Sequence, residues 1–81
     1  MRPIYVSILP VETGRRIRFY MNMRGYSVRD VQSAMGFENP QAIYKWLSGK
    51  SLPSLDNLII LCYLPKVQME DVLVVSGDIA A

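Results

Sequence analysis

The chain has 81 residues, 51% of them hydrophobic, and a net charge of +2. A chain this short buries only about 60% of its unfolded surface, which limits it to one domain with one small core. It has no histidine and one cysteine, and its longest apolar run covers residues 58–64. These features exclude an intramolecular disulfide, a catalytic triad and a membrane span, so we expect a cytoplasmic protein that is not an enzyme and needs no cofactor or metal.

The charges are divided unevenly along the chain. Residues 1–50 carry eight basic and three acidic side chains (net +5), and residues 51–81 carry one basic and four acidic side chains (net −3). A basic first half suits an anionic partner. Several arginines near one helix are equally often an ordinary solvated surface, so the charge alone leaves both interpretations open.

The first predicted element is a strand. Residues 4–9 are mostly β-branched or aromatic and lie between Pro3 and Pro10, a pattern typical of a short extended strand. A lone strand leaves its backbone polar groups unsatisfied, so we expect it to pair with residues 73–75, within one chain or between two. The predicted organisation is an extended arm at 1–12, a main domain at 13–73 and a tail at 74–81 that frays from residue 77.

Apolar residues at helical spacing predict five helices in the main domain. Gly25 is expected to stop the first helix, in which Phe19 and Met23 face away from the apolar stripe and need a covering arm or partner. Ser27 and Asp30 approximate a capping box for the second helix. The predicted helices cover residues 13–24, 27–36, 40–48, 55–63 and 69–73.

The fourth predicted helix is apolar on nearly all sides. One small domain scarcely buries a helix on two faces, so we expect the surplus apolar surface of residues 4–9, Phe19, Met23 and 60–64 to join two copies of the chain. The two predicted faces consist of Leu55, Leu58, Ile59 and Cys62, and of Ile60, Leu61 and Leu64.

The third predicted helix carries the candidate functional residues. Asn39 is a candidate N-cap, and Pro40 is expected at the first helical position, where its missing N–H does no harm. Ile43, Trp46 and Leu47 are expected to face the core, opposite a face of hydrogen-bonding side chains. A helix in the DNA major groove needs that arrangement, although any amphipathic surface helix shows it too.

Each side chain on the outer face suits a contact with DNA. Gln41 can pair with adenine, Lys45 can reach guanine or a phosphate, and Tyr44 and Ser48 suit phosphate oxygens. Arg29 and Lys50 are further candidates for the DNA backbone. The predicted DNA-binding residues are Arg29, Asn39, Gln41, Tyr44, Lys45, Ser48 and Lys50.

Five motifs in order along the chain resemble the phage-repressor-like (Xre/Cro) helix-turn-helix domains. They are RGYS at 24–27, MGF at 35–37, SGK at 48–50, LPSL at 52–55 and VQMEDVL at 67–73, and the pair Ile43 and Trp46 adds to them. The resemblance covers roughly residues 14–73, and GFENPQAIYKWLSGKSLPSLDNL is similar to a clostridial-type subgroup. It implies an all-α, five-helix repressor-like DNA-binding domain, to which the N-terminal strand would be an addition.

The chain departs from the usual pattern of that family in three places. Val28 stands where many members have a phosphate-binding glutamine. Gln32 replaces a usual alanine where the two helices meet, and the turn is one residue longer, which predicts a displaced third helix. Pro65 falls where a core leucine is usual, which predicts an early end to the fourth helix.

We therefore expect a sequence-specific transcriptional regulator, acting as a repressor, that binds double-stranded DNA as a homodimer through the helix at 40–48. Two modules provide two half-sites and the affinity that one small module lacks. The alternative is a protein-interaction module, such as the antitoxin of a toxin-antitoxin pair, whose apolar N-terminal arm clamps a partner protein.

Overall fold

The computed structural model describes residues 6–77, which form five α-helices and one two-stranded sheet. The predicted class, a five-helix domain with a short N-terminal strand paired to the C-terminal segment, is confirmed. Residues 4–5 of the predicted strand and residues 78–81 of the predicted tail lie outside the described residues. The elements are β1 (Val6–Ile8), α1 (Pro10–Met23), α2 (Val28–Met35), α3 (Gln41–Ser48), α4 (Leu55–Tyr63), α5 (Met69–Val72) and β2 (Val75–Gly77).

The sheet joins the two ends of the same chain. β1 pairs with β2 in antiparallel orientation, with Val6 opposite Gly77 and Ile8 opposite Val75. Of the two arrangements that the sequence left open, the structure has pairing within one chain. Gly77, where the tail was expected to begin to fray, is the last residue of β2.

The helix α1 begins at Pro10, three residues before the predicted start at Thr13. Proline fits the first turn because it has no N–H to leave unsatisfied there. Thr13 is fully buried, and its Oγ1 accepts a hydrogen bond from the N–H of Val74 at 3.1 Å. The N–H of Leu9 donates to the carbonyl of Val74 at 2.7 Å. The start of α1 is therefore fixed to the segment that leads into β2.

Two glycines set how closely α1 and α3 approach. A Cβ on Gly14 of α1 would lie 2.7 Å from the carbonyl oxygen of Leu47 and closer still to that of Trp46. Gly49 ends α3 with a φ of +82°, and a Cβ there would lie 2.6 Å from the Cα of Val11. The C-terminal half of α3 therefore rests almost directly on the backbone of α1.

The core collects three buried apolar residues each from α3 and α4, two from α1, and one each from α2 and α5. The buried residues of α4 are Leu58, Leu61 and Cys62, at positions i, i+3 and i+4. Leu55 and Ile59, which were predicted to share one buried face with Leu58 and Cys62, are instead 73% and 54% exposed. The buried apolar residues are Ile17, Met21, Val31, Ile43, Trp46, Leu47, Leu58, Leu61, Cys62 and Val72.

Candidate nucleic-acid interface

The helix α2 begins with the predicted capping box, which the structure confirms. The N–H of Ser27 donates to Oδ2 of Asp30 at 2.8 Å, and the N–H of Asp30 donates to Oγ of Ser27 at 3.1 Å. The hydrogen bond from the Ser27 backbone, with a smaller contribution from the Ser27 side chain, holds the pKa of the Asp30 carboxyl below its ordinary value. Val28 packs against the core and Arg29 is exposed, so the side chain that α2 offers at its first turn is Arg29.

A side-chain hydrogen bond and an aromatic contact stabilise the turn between α2 and α3. Gly36 adopts the left-handed conformation that ends α2. Nε2 of Gln32 donates to the carbonyl of Phe37 at 3.3 Å, and the Phe37 ring packs edge-on against Trp46 with centroids 6.0 Å apart. Gln32 therefore braces the turn between the two helices through its side-chain amide, which an alanine at this position could not do.

The helix α3 begins one residue later than predicted. Gln41 is its first residue, and Pro40 occupies the N-cap position with φ −92° and ψ 9°. Oδ1 of Asn39 accepts a hydrogen bond from the N–H of Gln41 at 3.1 Å. The asparagine side chain thus satisfies the first helical N–H by reaching past the proline, which explains why Asn39 holds the helix start without being the N-cap residue.

The two faces of α3 are as predicted. Ile43, Trp46 and Leu47 are buried, and Trp46 lies in the core. The opposite side chains, Gln41, Tyr44, Lys45 and Ser48, are all exposed. The hydroxyl of Ser48 donates to the carbonyl of Lys45 at 3.2 Å, which leaves its oxygen free to accept. The outer face is therefore available to a partner along two turns.

A basic groove lies between α3 and α1. Its volume is about 310 Å³, and its lining contains three cations and no carboxylate. Lys45 and Lys50 were predicted to serve a common site, and Arg18 of α1 joins them. The charge of Arg18 is visible in the sequence, but its position beside Lys45 depends on how α1 crosses α3. The lining residues are Arg18, Tyr44, Lys45, Leu47, Ser48 and Lys50.

The remaining predicted residues lie outside this groove. Asn39 lines a separate depression beside the turn, together with Glu38 and Ala42. Gln41 is exposed at the start of α3, and Arg29 is exposed on α2. Four of the seven predicted residues therefore share one groove, whereas Arg29, Asn39 and Gln41 occupy other positions on the two helices.

Cys62 is buried, and that burial raises the pKa of its thiol, with a smaller contribution from Asp71. Within residues 6–77, no group of three acidic, cysteine or histidine side chains could hold a metal ion. In the same part of the chain, no helix is long and apolar enough to cross a membrane.

Comparisons with known proteins agree with this geometry. A family model described as Helix-turn-helix matches residues 17–72. The solved structure of the restriction-modification controller protein C.AhdI from Aeromonas hydrophila is similar, with TM-score 0.67, 19% identity, and coverage of 76% of this chain and 92% of that one. The solved structure of the clp gene regulator ClgR from C. glutamicum is also similar, with TM-score 0.68 and 20% identity. The similarity covers 82% of this chain and 84% of that one.

A third solved structure, of a protein from Bacteroides fragilis described as DNA-binding, has TM-score 0.64 and 25% identity. The similarity covers 89% of this chain and all of that one, 100%. Among curated protein sequences, none matches this chain significantly. The family match spans more than half of the chain, including all of α2, α3, α4 and α5.

Proposed function

This chain belongs to the Xre-like helix-turn-helix family of DNA-binding transcription regulators, and from that premise we propose that it is a sequence-specific repressor that acts as a homodimer. The family is one of DNA-binding proteins and not of enzymes. Within it, we assign the chain to the clostridial-type subgroup because of the stretch from Gly36 to Leu58.

The observation that carries the proposal is the basic groove between α1 and α3. Three cations, Arg18 of α1, Lys45 of α3 and Lys50 just beyond the end of α3, converge there, and no acid in the lining neutralises them. A phosphate of the DNA backbone is an anion with several acceptor oxygens, and Lys and Arg are its usual partners. We assign Arg18, Lys45 and Lys50 to the phosphates on one side of the major groove.

The first turn of α3 reads the bases in this proposal. Recognition helices contact base edges mainly through their N-terminal residues. Gln41 is exposed at that end, and its amide can donate to N7 and accept from N6 of adenine. Tyr44 and Ser48 contact phosphate or sugar oxygens further along. Asn39 and Arg29 hold the DNA backbone at the turn and at the start of α2.

Two copies on a two-fold operator supply the affinity and the specificity. One module of this size buries too little DNA surface for tight specific binding, and two half-sites one helical turn apart correct that. A protein bound across such an operator excludes other proteins from it, which is the basis for proposing repression.

The test is selection of bound sequences from a random DNA pool with the full chain. We expect a palindromic motif whose half-sites are about 10 base pairs apart, centre to centre. Gln41→Ala should relax the preference at one base pair in each half-site. Lys45→Ala should weaken binding to every sequence and reduce the dependence on salt. Equal loss on specific and random DNA in both variants would contradict the assignment of Gln41.

A second candidate function is the binding of a protein partner, such as the toxin of a toxin-antitoxin pair. The observation that favours it is the exposed stripe of α4, where Leu55, Ile59 and Tyr63 are 73%, 54% and 76% exposed. Purification with the product of a neighbouring gene, lost when Ile59 and Tyr63 become serine, would support this role beside DNA binding.

A further inference from the structure

Within residues 6–77, the two-stranded sheet has an unpaired edge along β1. The N–H of Leu9 donates to the carbonyl of Val74 at 2.7 Å. Residues in an antiparallel ladder alternate between pairs that exchange hydrogen bonds and pairs that do not. Two residues before Leu9, Ser7 therefore bonds across to β2. The backbone N–H and C=O groups of Val6 and Ile8 accordingly point away from β2, toward the open edge.

The side chains of that edge are also uncovered. Val6 and Ile8 are 39% and 37% exposed, and they share one face of the sheet with Val75. The other face carries Ser7 and Ser76, whose hydroxyl oxygens lie 3.1 Å apart. An isolated pair of short strands is marginally stable in water, and an exposed edge is a template for another strand.

The edge lacks the usual protection against pairing. Native proteins keep edge strands apart with charged side chains or a proline within the strand. Residues 6–9 read Val-Ser-Ile-Leu and residues 74–77 read Val-Val-Ser-Gly, so neither segment contains a charge or a proline. An additional strand meets no repulsion there.

We propose that the additional strand is β1 of a second copy, so that two chains share a four-stranded sheet in the order β2-β1-β1-β2. This inference rests on the proposed homodimer and names the surface that forms it. With Ser7 on the two-fold axis, Val6 lies opposite the partner's Ile8, and Ile8 lies opposite the partner's Val6. Their outward N–H and C=O groups then form four hydrogen bonds.

The register follows from symmetry and from the residues present. A two-fold interface uses the same residues on both chains, and centring on Ser7 uses both outward-facing residues of β1. Centring on Ile8 would place Pro10, which has no N–H, opposite Val6 and would lose a hydrogen bond. The Ser7 register also brings all four Val6 and Ile8 side chains to one face, beside Val75 of each chain.

Cross-linking tests the register directly. Residues opposite each other in a non-hydrogen-bonded pair have Cα atoms about 4.5 Å apart, which falls in the range that a disulfide spans. Ser7→Cys should therefore form a covalent dimer under mild oxidation, with the 7–7 bond identified by peptide mapping. The matched control is Ser76→Cys, on the same face but one strand away, which should stay monomeric on a non-reducing gel. The native chain should also stay monomeric there, because Cys62 is buried.

Proline substitution tests the same edge without a cross-link. Val6→Pro removes an outward N–H from β1, and Val75→Pro removes the equivalent N–H from the outer edge of β2. Sedimentation velocity should show Val6→Pro shifted to monomer and Val75→Pro still dimeric. Circular dichroism should show native helix content in both, because neither N–H belongs to the ladder within the chain.

Several outcomes would overturn this interface. A dimer that survives Val6→Pro and is lost in Ile59→Lys would place the interface on α4 and leave the proposed function intact. A native chain that is monomeric, or whose β1 is occupied by a different protein that blocks the Ser7→Cys cross-link, would also overturn it. Failure to select any DNA sequence is a separate result, because it contradicts the proposed function whatever the cross-link shows.

Discussion

The helices α3 and α4 follow each other in the chain and differ most in the faces they turn outward. Each buries three side chains: Ile43, Trp46 and Leu47 in α3, and Leu58, Leu61 and Cys62 in α4. The outer face of α3 is polar and basic, whereas the outer face of α4 carries Leu55, Ile59 and Tyr63. Similar burial therefore coexists with surfaces suited to different partners, one anionic and one apolar.

The difference shows the limit of an apolar pattern as a guide to burial. In α3 the apolar residues occupy one stripe, so hydrophobicity and burial coincide. In α4 apolar residues occupy nearly every side, and the packing against α2 and α5 selects which three are buried. The apolar residues left outside, Leu55, Ile59 and Tyr63, form the exposed stripe of α4. The sequence had predicted the surplus apolar surface of this helix at residues 60–64.

The largest expected effect comes from removing the same side chain at a buried and at an exposed position. Ile43 is 0% exposed, so Ile43→Ala should lower the free energy of unfolding by about 2–5 kcal/mol. Ile59 is 54% exposed, and Ile59→Ala should change it by about 0.5 kcal/mol or less. Urea denaturation below the concentration of dimerisation measures both. A comparable loss in Ile59→Ala would mean that its side chain is buried in solution.

The next prediction concerns the close packing of α3 on α1. Gly14→Ala would force a Cβ against the carbonyl oxygens of Trp46 and Leu47, and overpacking of this kind costs about 1–3 kcal/mol. In an unconstrained helix the same change would stabilise by about 0.5–1 kcal/mol. The sign of the change in thermal stability is therefore diagnostic. Arg15→Ala, at the next and exposed position, serves as the control.

A smaller effect is expected from Arg18, which the sequence did not single out. If Arg18 contacts one phosphate, Arg18→Ala should reduce the slope of log K against log salt by about 0.9. The preferred DNA sequence should stay the same. The control is Arg15→Ala, because Arg15 lines a different depression on α1. An unchanged slope in Arg18→Ala, measured by fluorescence anisotropy, would remove Arg18 from the interface.

Acid should lower the free energy of unfolding through the capping box at the start of α2. The pKa of Asp30 is lowered from its ordinary 3.8 by the hydrogen bonds from Ser27, so the folded chain favours the charged form. That contribution to stability is complete above the unfolded pKa and is lost as the pH falls through the folded pKa. In Asp30→Asn this part of the acid dependence should disappear, as thermal unfolding at stepwise lower pH can show.

Alkali should act on α4 instead. Burial, with a smaller effect of Asp71, raises the pKa of Cys62 above its ordinary 9.0, so the folded chain keeps a neutral thiol when the unfolded chain has ionised. Stability should be constant below the unfolded pKa and should fall as the pH rises above it. Cys62→Ala should lose this alkaline dependence. An equal dependence in that variant would show that Cys62 is not its cause.

Local signals in the sequence determined most of the helices and the polar face of α3. The capping box of Ser27 and Asp30, and the left-handed glycines at 36 and 49, act within a few residues. Their effect can therefore be predicted without knowing the fold. The start of α1 was predicted three residues too late, because Pro10 could equally end the preceding strand or begin a helix.

Three features depend on contacts between residues far apart in the sequence and could be found only in the folded structure. Arg18 joins the basic groove because Gly14 lets α1 lie against α3. The chain pairs β1 with its own β2 because Val74 is held by Leu9 and by Thr13, 61 residues earlier. Which apolar side of α4 is buried depends likewise on α2 and α5. The helices and the exposed polar face of α3 could be predicted from the sequence alone, since both follow from spacing along one helix. Packing decided which other residues stand beside them.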